Sequence, residues 1–408
     1  MPSLWNWTGR PRILPGMVNE ADQDWAFDIP SIIMHDLGDH HRASYEFFNG
    51  DDNRVAYWAG EHLYTGDLSG IAAALDSAST DPSLTSAHKR ETASIAARGL
   101  EAVAGREDFG VEGGQRGVEG AQSLEHILET YMRSLAATYA NSPSRPESDL
   151  TYDLATETNQ IIADSPWFSR ETLDSILGVV GRDGQAFIDL RTAVNNAEAT
   201  SLPPGSDRQA LSAVANLWGS TEGAIANAIG TGGINEAHSN DEHAQAWIDL
   251  AGKPASTLAG LLKKIAPVGT VMGVGWVSDA FVNYLMGEAS ETWANSEEEE
   301  KKKQELMADE AYSSFIRRLL WAADAAGLNG YQDPDSGLTL NNYSAATVEN
   351  PDGSYRLITP EEYEQLSDEE KKTANAELEV LATSPGCMGD AATNVNTSFN
   401  QQFQERFP

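Results

Sequence analysis

Residues 123–140 read "SLEHILETYMRSLAATYA", and this stretch decides the fold class. Leu124, Ile127, Leu128, Tyr131, Met132, Leu135 and Tyr139 fall three and four residues apart, so they share one face of a 3.6-residue helix. The pattern predicts one amphipathic helix with Ser123 as its N-cap. Residues 209–230, "QALSAVANLWGSTEGAIANAIG", repeat the period through Leu211, Val214, Trp218, Ile225 and Ile229. From Ser31 onward the helical period dominates, and a mainly α protein follows, with at most a small hairpin after residue 330.

Working outward, the expected architecture is a large helical bundle-like assembly around a central apolar helix. Residues 1–30 read as an extended N-terminal arm packed by Trp5, Trp7 and Trp25. Residues 31–200 and 206–330 form two helical halves, separated by the Pro- and Ser-rich "SLPPGSD" at 201–207. Residues 331–408 form a C-terminal extension with a hairpin, short helices and a polar tail. Within it, "NPDG" separates "SAATV" from "SYRLI", which predicts the hairpin. Thr359-Pro360-Glu361-Glu362 and Ser367 to Glu370 both read as capping boxes at helix starts.

The central helix is expected at 265–286, "IAPVGTVMGVGWVSDAFVNYLM". An Asp at mid-bilayer depth costs about 2.5–3.5 kcal/mol on the insertion scale, so Asp279 favours a buried core segment over a constitutive membrane span. After it, Glu297, Glu298 and Glu299 each precede a lysine by four residues. A long helix is predicted there, solvated at its start and buried at Phe315, Leu319, Leu320 and Trp321.

Charge excludes some functions. There are 27 Lys and Arg against 62 Asp and Glu, a net charge of −35. Such a surface repels phosphates at a distance, so nucleic-acid binding is not expected. The single cysteine, Cys387, allows no intramolecular disulfide and no multi-thiolate zinc site. The first residues, "MPSLWNWTGRPRILPG", contain no apolar h-region. The expected location is the cytoplasm, or outside the cell by a route that needs no Sec signal peptide.

The densest group of titratable residues is "IMHDLGDHHRASYEFF" at 33–48. On a helix His35 and Asp39 share a face, and so do Asp36 and His40, which is a metal-ligating spacing. "MHDLG" resembles the His-Asp pair of the HD-type metal phosphohydrolases. That family needs a further upstream His, and residues 1–34 have none. The alternative is a helix start with polar first turns, which is the expectation taken here: no metal and no cofactor. His238 and His243 stand in a polar segment, "DPDSG" at 333–337 reads as a turn, and Cys387 has no basic neighbours in sequence to activate it.

"HDLGDHHRASYEFFNGDDNRVAYWAGEHL" (35–63), "GIAAALDSAST" (70–80), "LEHILETYMRSLAATYANSP" (124–143), "STEGAIANAIG" (220–230) and "RRLLWAADAAGL" (317–328) together carry a broader resemblance. In pattern and order they resemble an uncharacterised actinobacterial helical domain family found in proteins linked to type VII-like, WXG-type secretion. Trp58-Ala59-Gly60 also matches the Trp-x-Gly turn of small exported helical hairpins. The resemblance implies a secretion-associated helical protein and carries over no site residues. The function expected is a non-enzymatic acidic interaction or scaffold protein with a protein partner, as a substrate or accessory of such a system. The alternatives are a membrane-inserting toxin using the apolar region 257–287, and a metal phosphohydrolase at His35 and Asp36.

Overall fold

The computed structural model describes residues 29–62, 68–106, 120–147, 149–181, 183–203, 205–236, 297–328, 339–384, 387–388 and 390–404. It is mainly helical. The first region runs through α1 (Ile29–Gly38), α2 (His41–Asn49), the short α3 (Asp52–Val55), a π-helical turn (Ala56–Glu61), α4 (Ser69–Thr80), α5 (Pro82–Ala87), α6 (Lys89–Ala104), α7 (Ala121–Thr130) and α8 (Met132–Asn141). A hairpin of β1 (Thr151–Ala155) and β2 (Ile161–Pro166) follows, then α9 (Arg170–Val180), α10 (Gly184–Ser201) and the 29-residue α11 (Arg208–Glu236). The last part holds α12 (Glu297–Ala325), a hairpin of β3 (Thr347–Glu349) and β4 (Tyr355–Leu357), α13 (Pro360–Glu364), α14 (Asp368–Thr383) and α15 (Asp390–Gln404).

Two helices organise the packing. α4 is surrounded by α1, α2, α6 and α7. Its Ser, Gly and Ala content lets neighbours come close: a Cβ on Gly70 would stand 2.7 Å from the Ser31 carbonyl oxygen on α1. α11 is surrounded by α8, α9, α12 and α15, while α10 touches α7, α8, α9 and α11 and so joins the two groups. One hydrophobic cluster runs from Met34 to Phe399, through residues on both sides of the 201–207 loop.

The stripe at 123–140 is buried as its period requires: Leu124, Ile127, Leu128, Met132, Leu135 and Tyr139 are all core residues. It is nevertheless two helices. Tyr131, at φ −113° and ψ 31°, breaks the run between α7 and α8, and its hydroxyl donates to the Ser79 carbonyl of α4 at 2.7 Å. The N-cap is Gly120, so Ser123 lies inside the first turn. Trp218 and Leu211 of α11 are buried, and α12 buries Phe315, Leu319 and Leu320, with Trp321 half-buried.

The C-terminal hairpin pairs Thr347 with Leu357 and Glu349 with Tyr355, and both capping boxes form. Two features depart from expectation. β1 and β2 form a second antiparallel hairpin, bulged between Tyr152 and Leu154, against α6. And of residues 394–408, expected as a polar tail with aromatic anchors, 394–404 belong to the helix α15. Ala391, Val395, Ser398, Phe399 and Gln402 make its buried stripe, which lies along α11 over Gly219 and Gly223. Asn and Gln on the other face disguise the period.

The expected apolar helix at 265–286, the toxin region 257–287, His238, His243, the arm to residue 28 and "DPDSG" lie outside the described residues. Among the described residues no helix is long and apolar enough to cross a membrane.

Candidate functional site

Among the described residues, Arg191, Glu198, Glu222 and Arg318 bring buried charge together where α10, α11 and α12 meet. Arg191, Asn195 and Glu198 are spaced by four and three residues on α10, so one helical face carries all three inward. Ser314 and Arg318 do the same on α12, and Glu222 projects from an otherwise apolar and small-residue turn of α11. Arg191 donates from both Nη groups to the two oxygens of Glu222, at 2.5 and 2.6 Å. Arg318 donates from Nε to Glu198 Oε2, from Nη2 to Glu222 Oε1 and from Nη1 to Ser314 Oγ, each at 2.8 Å. Glu222 is 0 % exposed and Arg191 1 %.

Isolated charges at such depth are prohibitively costly, so mutual pairing is what permits them. Burial would raise the Glu222 carboxyl, but Arg191 and Arg318 outweigh it and hold the group below its ordinary range. Glu198 goes the other way: burial pushes it well up, Arg318 opposes and neighbouring Glu222 reinforces the rise. A cavity of about 20 Å³, room for one water, opens beside the cluster. Asn195, Glu198 and Arg318 line it together with Val214, Phe315 and Leu319.

A second buried carboxyl stands on α7. Glu125 is 4 % exposed, and burial lifts it to about 8, with Glu129, Asp189 and Asp76 adding to the rise and His126 opposing it. His126 Nδ1 lies 2.8 Å from Asp76 Oδ1, and this hydrogen bond raises the imidazole above its ordinary value against the opposing effect of burial.

The structure separates the histidines and aspartates singled out in sequence. His35 Nε2 lies 2.9 Å from Ser69 Oγ, whereas His40 Nδ1 lies 2.8 Å from the Asp36 backbone oxygen. His41 Nδ1 meets Ser77 Oγ at 2.9 Å on α4. The helix ends between them, because α1 stops at Gly38 and α2 begins at His41, so the i, i+4 face assumed for Asp36 and His40 is not continuous. Among the described residues no three His, Cys, Asp or Glu side chains come together in a way that could hold a metal ion.

Trp58-Ala59-Gly60 falls in the π-helical turn, where Arg106 Nη1 reaches the carbonyls of Ala59 at 3.2 Å and His62 at 2.9 Å. Trp58 packs against Phe47 and His62. Cys387 is buried, and burial, with Asp324 adding, pushes its thiol up to about 12 despite Arg208. It is a core residue.

Sequence reading missed the four charged residues at the α10–α11–α12 junction. The signal was present: Arg191 in "FIDLRTAV", Glu222 in "GSTEGAIA" and Arg318 in "FIRRLLW" are charges inside apolar faces, which are buried only when paired.

The chain matches no protein-family model, no curated protein and no solved structure.

Proposed function

We propose that this chain is a non-enzymatic, acidic helical scaffold that works through its surface, binding a cationic protein partner as a substrate or accessory of signal-peptide-independent secretion. The observation behind this reading is the use made of interior charge. Arg191, Glu198, Glu222 and Arg318 hydrogen-bond to one another, and Arg318 also to Ser314, tying three helices together around a cavity of single-water size. An acidic site that turned over substrate needs room for the substrate beside its carboxyls. The chain's net charge of −35 would steer association with positively charged surfaces and make that association salt-dependent.

The test uses the full-length protein. Crosslinking in cells that make it, followed by purification, is expected to recover a stoichiometric basic partner whose affinity falls at least tenfold between low and physiological ionic strength. Incubation with a chromogenic phosphodiester and Mn2+, Zn2+ or Fe2+ is expected to give no turnover above the metal alone. Turnover that Asp36→Ala or Glu198→Gln abolishes would overturn the reading in favour of a hydrolase. Dye release from anionic liposomes at sub-micromolar protein would overturn it in favour of the membrane-inserting toxin.

A further inference from the structure

The charged groups that act on Glu198 are Arg318 from α12, Glu222 from α11 and Arg191 from its own helix. Arg318 offers them the Nε–Nη2 edge of its guanidinium. The two parallel N–H groups of that edge ordinarily take both oxygens of a single carboxylate. Here Nε takes an oxygen of Glu198 and Nη2 an oxygen of Glu222, each at 2.8 Å. Two carboxyls from different helices therefore stand side by side where one usually fits. Carboxylates that share a site in this way do not both ionise without a large penalty.

The donors decide which one keeps its charge. Glu222 receives Arg191 on both oxygens and Arg318 on one. Glu198 receives Arg318 on Oε2, while its Oε1 has no hydrogen-bond partner among the described residues. Most of the cavity wall at that carboxyl is apolar, from Ala199, Val214, Phe315 and Leu319. An ionised carboxyl at that place has the Arg318 guanidinium on one oxygen and no donor among the described residues on the other.

We propose that Glu198, set beside Glu222 on one edge of the Arg318 guanidinium, carries a proton in the folded chain while Glu222 stays ionised, and that losing this proton loosens the junction of α10 with α11 and α12.

The sign is fixed by linkage. Between the ordinary carboxylate range and about pH 8, the folded chain holds this proton and the unfolded chain does not. Stability due to this proton is complete at acid pH and is lost as pH rises through that window. One such proton makes the unfolding constant rise about tenfold per pH unit.

Glu125 and His126 titrate in an overlapping range, so the measurement is made in a Glu125→Gln background and read as a difference. Urea unfolding from pH 5.5 to 8.5 is compared with and without Glu198→Gln. The amide keeps the shape and accepts from Arg318, so the variant is expected to fold. The expected result is a steep rise of the unfolding constant with pH when Glu198 is present, lessened by about tenfold per pH unit when it is replaced. His126 contributes equally to both proteins. Parallel profiles would overturn the proposal. As an independent readout, infrared difference spectra of the folded Glu125→Gln protein at pH 6.5 are expected to contain a protonated-carboxyl band that Glu198→Gln removes. Persistence of that band, or its absence from the parent, would equally overturn it.

Discussion

The helices around α4 and those around α11 solve the same packing problem with different chemistry. α4 buries Gly70, Ile71, Ala72, Ala74, Leu75, Ser77, Ala78, Ser79 and Thr80, so its neighbours approach a nearly smooth rod. Its packing is spread over many small contacts, with separate single hydrogen bonds at its edges from His35, His41, His126 and Tyr131. α11 has such a face toward α15, where Gly219 and Gly223 lie under Val395, Ser398 and Phe399. Toward α10 and α12 it presents Glu222, and the junction depends on a few strong, directional bonds. The contrast teaches that a small-residue helix tolerates loss of any one polar group. An ion-bonded junction does not, because each partner it loses leaves another charge buried.

The sharpest way to break this comparison is to remove the shared anion. Glu222→Leu deprives Arg191 of the carboxylate that takes both its Nη groups and takes one bond from Arg318. The expected loss is about 3–5 kcal/mol in urea unfolding. A loss under about 1 kcal/mol would mean that the junction is no more dependent on its ions than α4 is.

The small-residue faces are probed by adding a methyl group. A Cβ on Gly223 would come within 2.5 Å of the Phe399 carbonyl oxygen, a backbone atom that moves only with α15. Gly223→Ala is expected to cost about 1–3 kcal/mol as overpacking, although alanine favours the helix itself. A stabilised variant would show that α15 does not lie where the structure puts it.

Glu125 sharpens the comparison from the other region. Its carboxyl is raised to about 8, so the folded chain holds the proton above the ordinary carboxylate range and stability falls as pH rises toward 8. Relative to the natural protein, Glu125→Gln is expected to gain about 1.4 kcal/mol per pH unit across that window. A pH-independent difference in urea midpoint would place the carboxyl in a more solvated setting than the α7–α10 contact.

The fold was legible where period and caps agree. The stripe from Leu124 to Tyr139, the buried end of α12 and the boxes at Thr359 and Ser367 are local signals, and local physics fixes them. The break at Tyr131 is a tertiary event, set by a hydroxyl reaching Ser79 on another helix, which no window of sequence contains. α15 was hidden because two residues of its buried stripe are Ser398 and Gln402, polar residues accepted there because they bond to backbone: Ser398 to Asn394, and Gln402 to Tyr139 at 3.3 Å. The candidate site was the least legible part. Arg191 and Arg318 are 127 positions apart in the numbering, and nothing local says that both will meet Glu222. The histidine-rich stretch drew attention because proximity in sequence is visible and proximity in space is not.

The central claim is that the buried ions at the α10–α11–α12 junction hold the fold by pairing with one another. A double-mutant cycle on Arg191→Met and Glu222→Leu, read by urea unfolding at pH 6, tests it most directly. Each single change is expected to cost about 3–5 kcal/mol, and the pair together at least 1.5–3 kcal/mol less than their sum, because the second change removes the charge that the first left stranded. Losses that add to within about 0.5 kcal/mol would contradict the account, since they would show that Arg191 and Glu222 do not depend on each other.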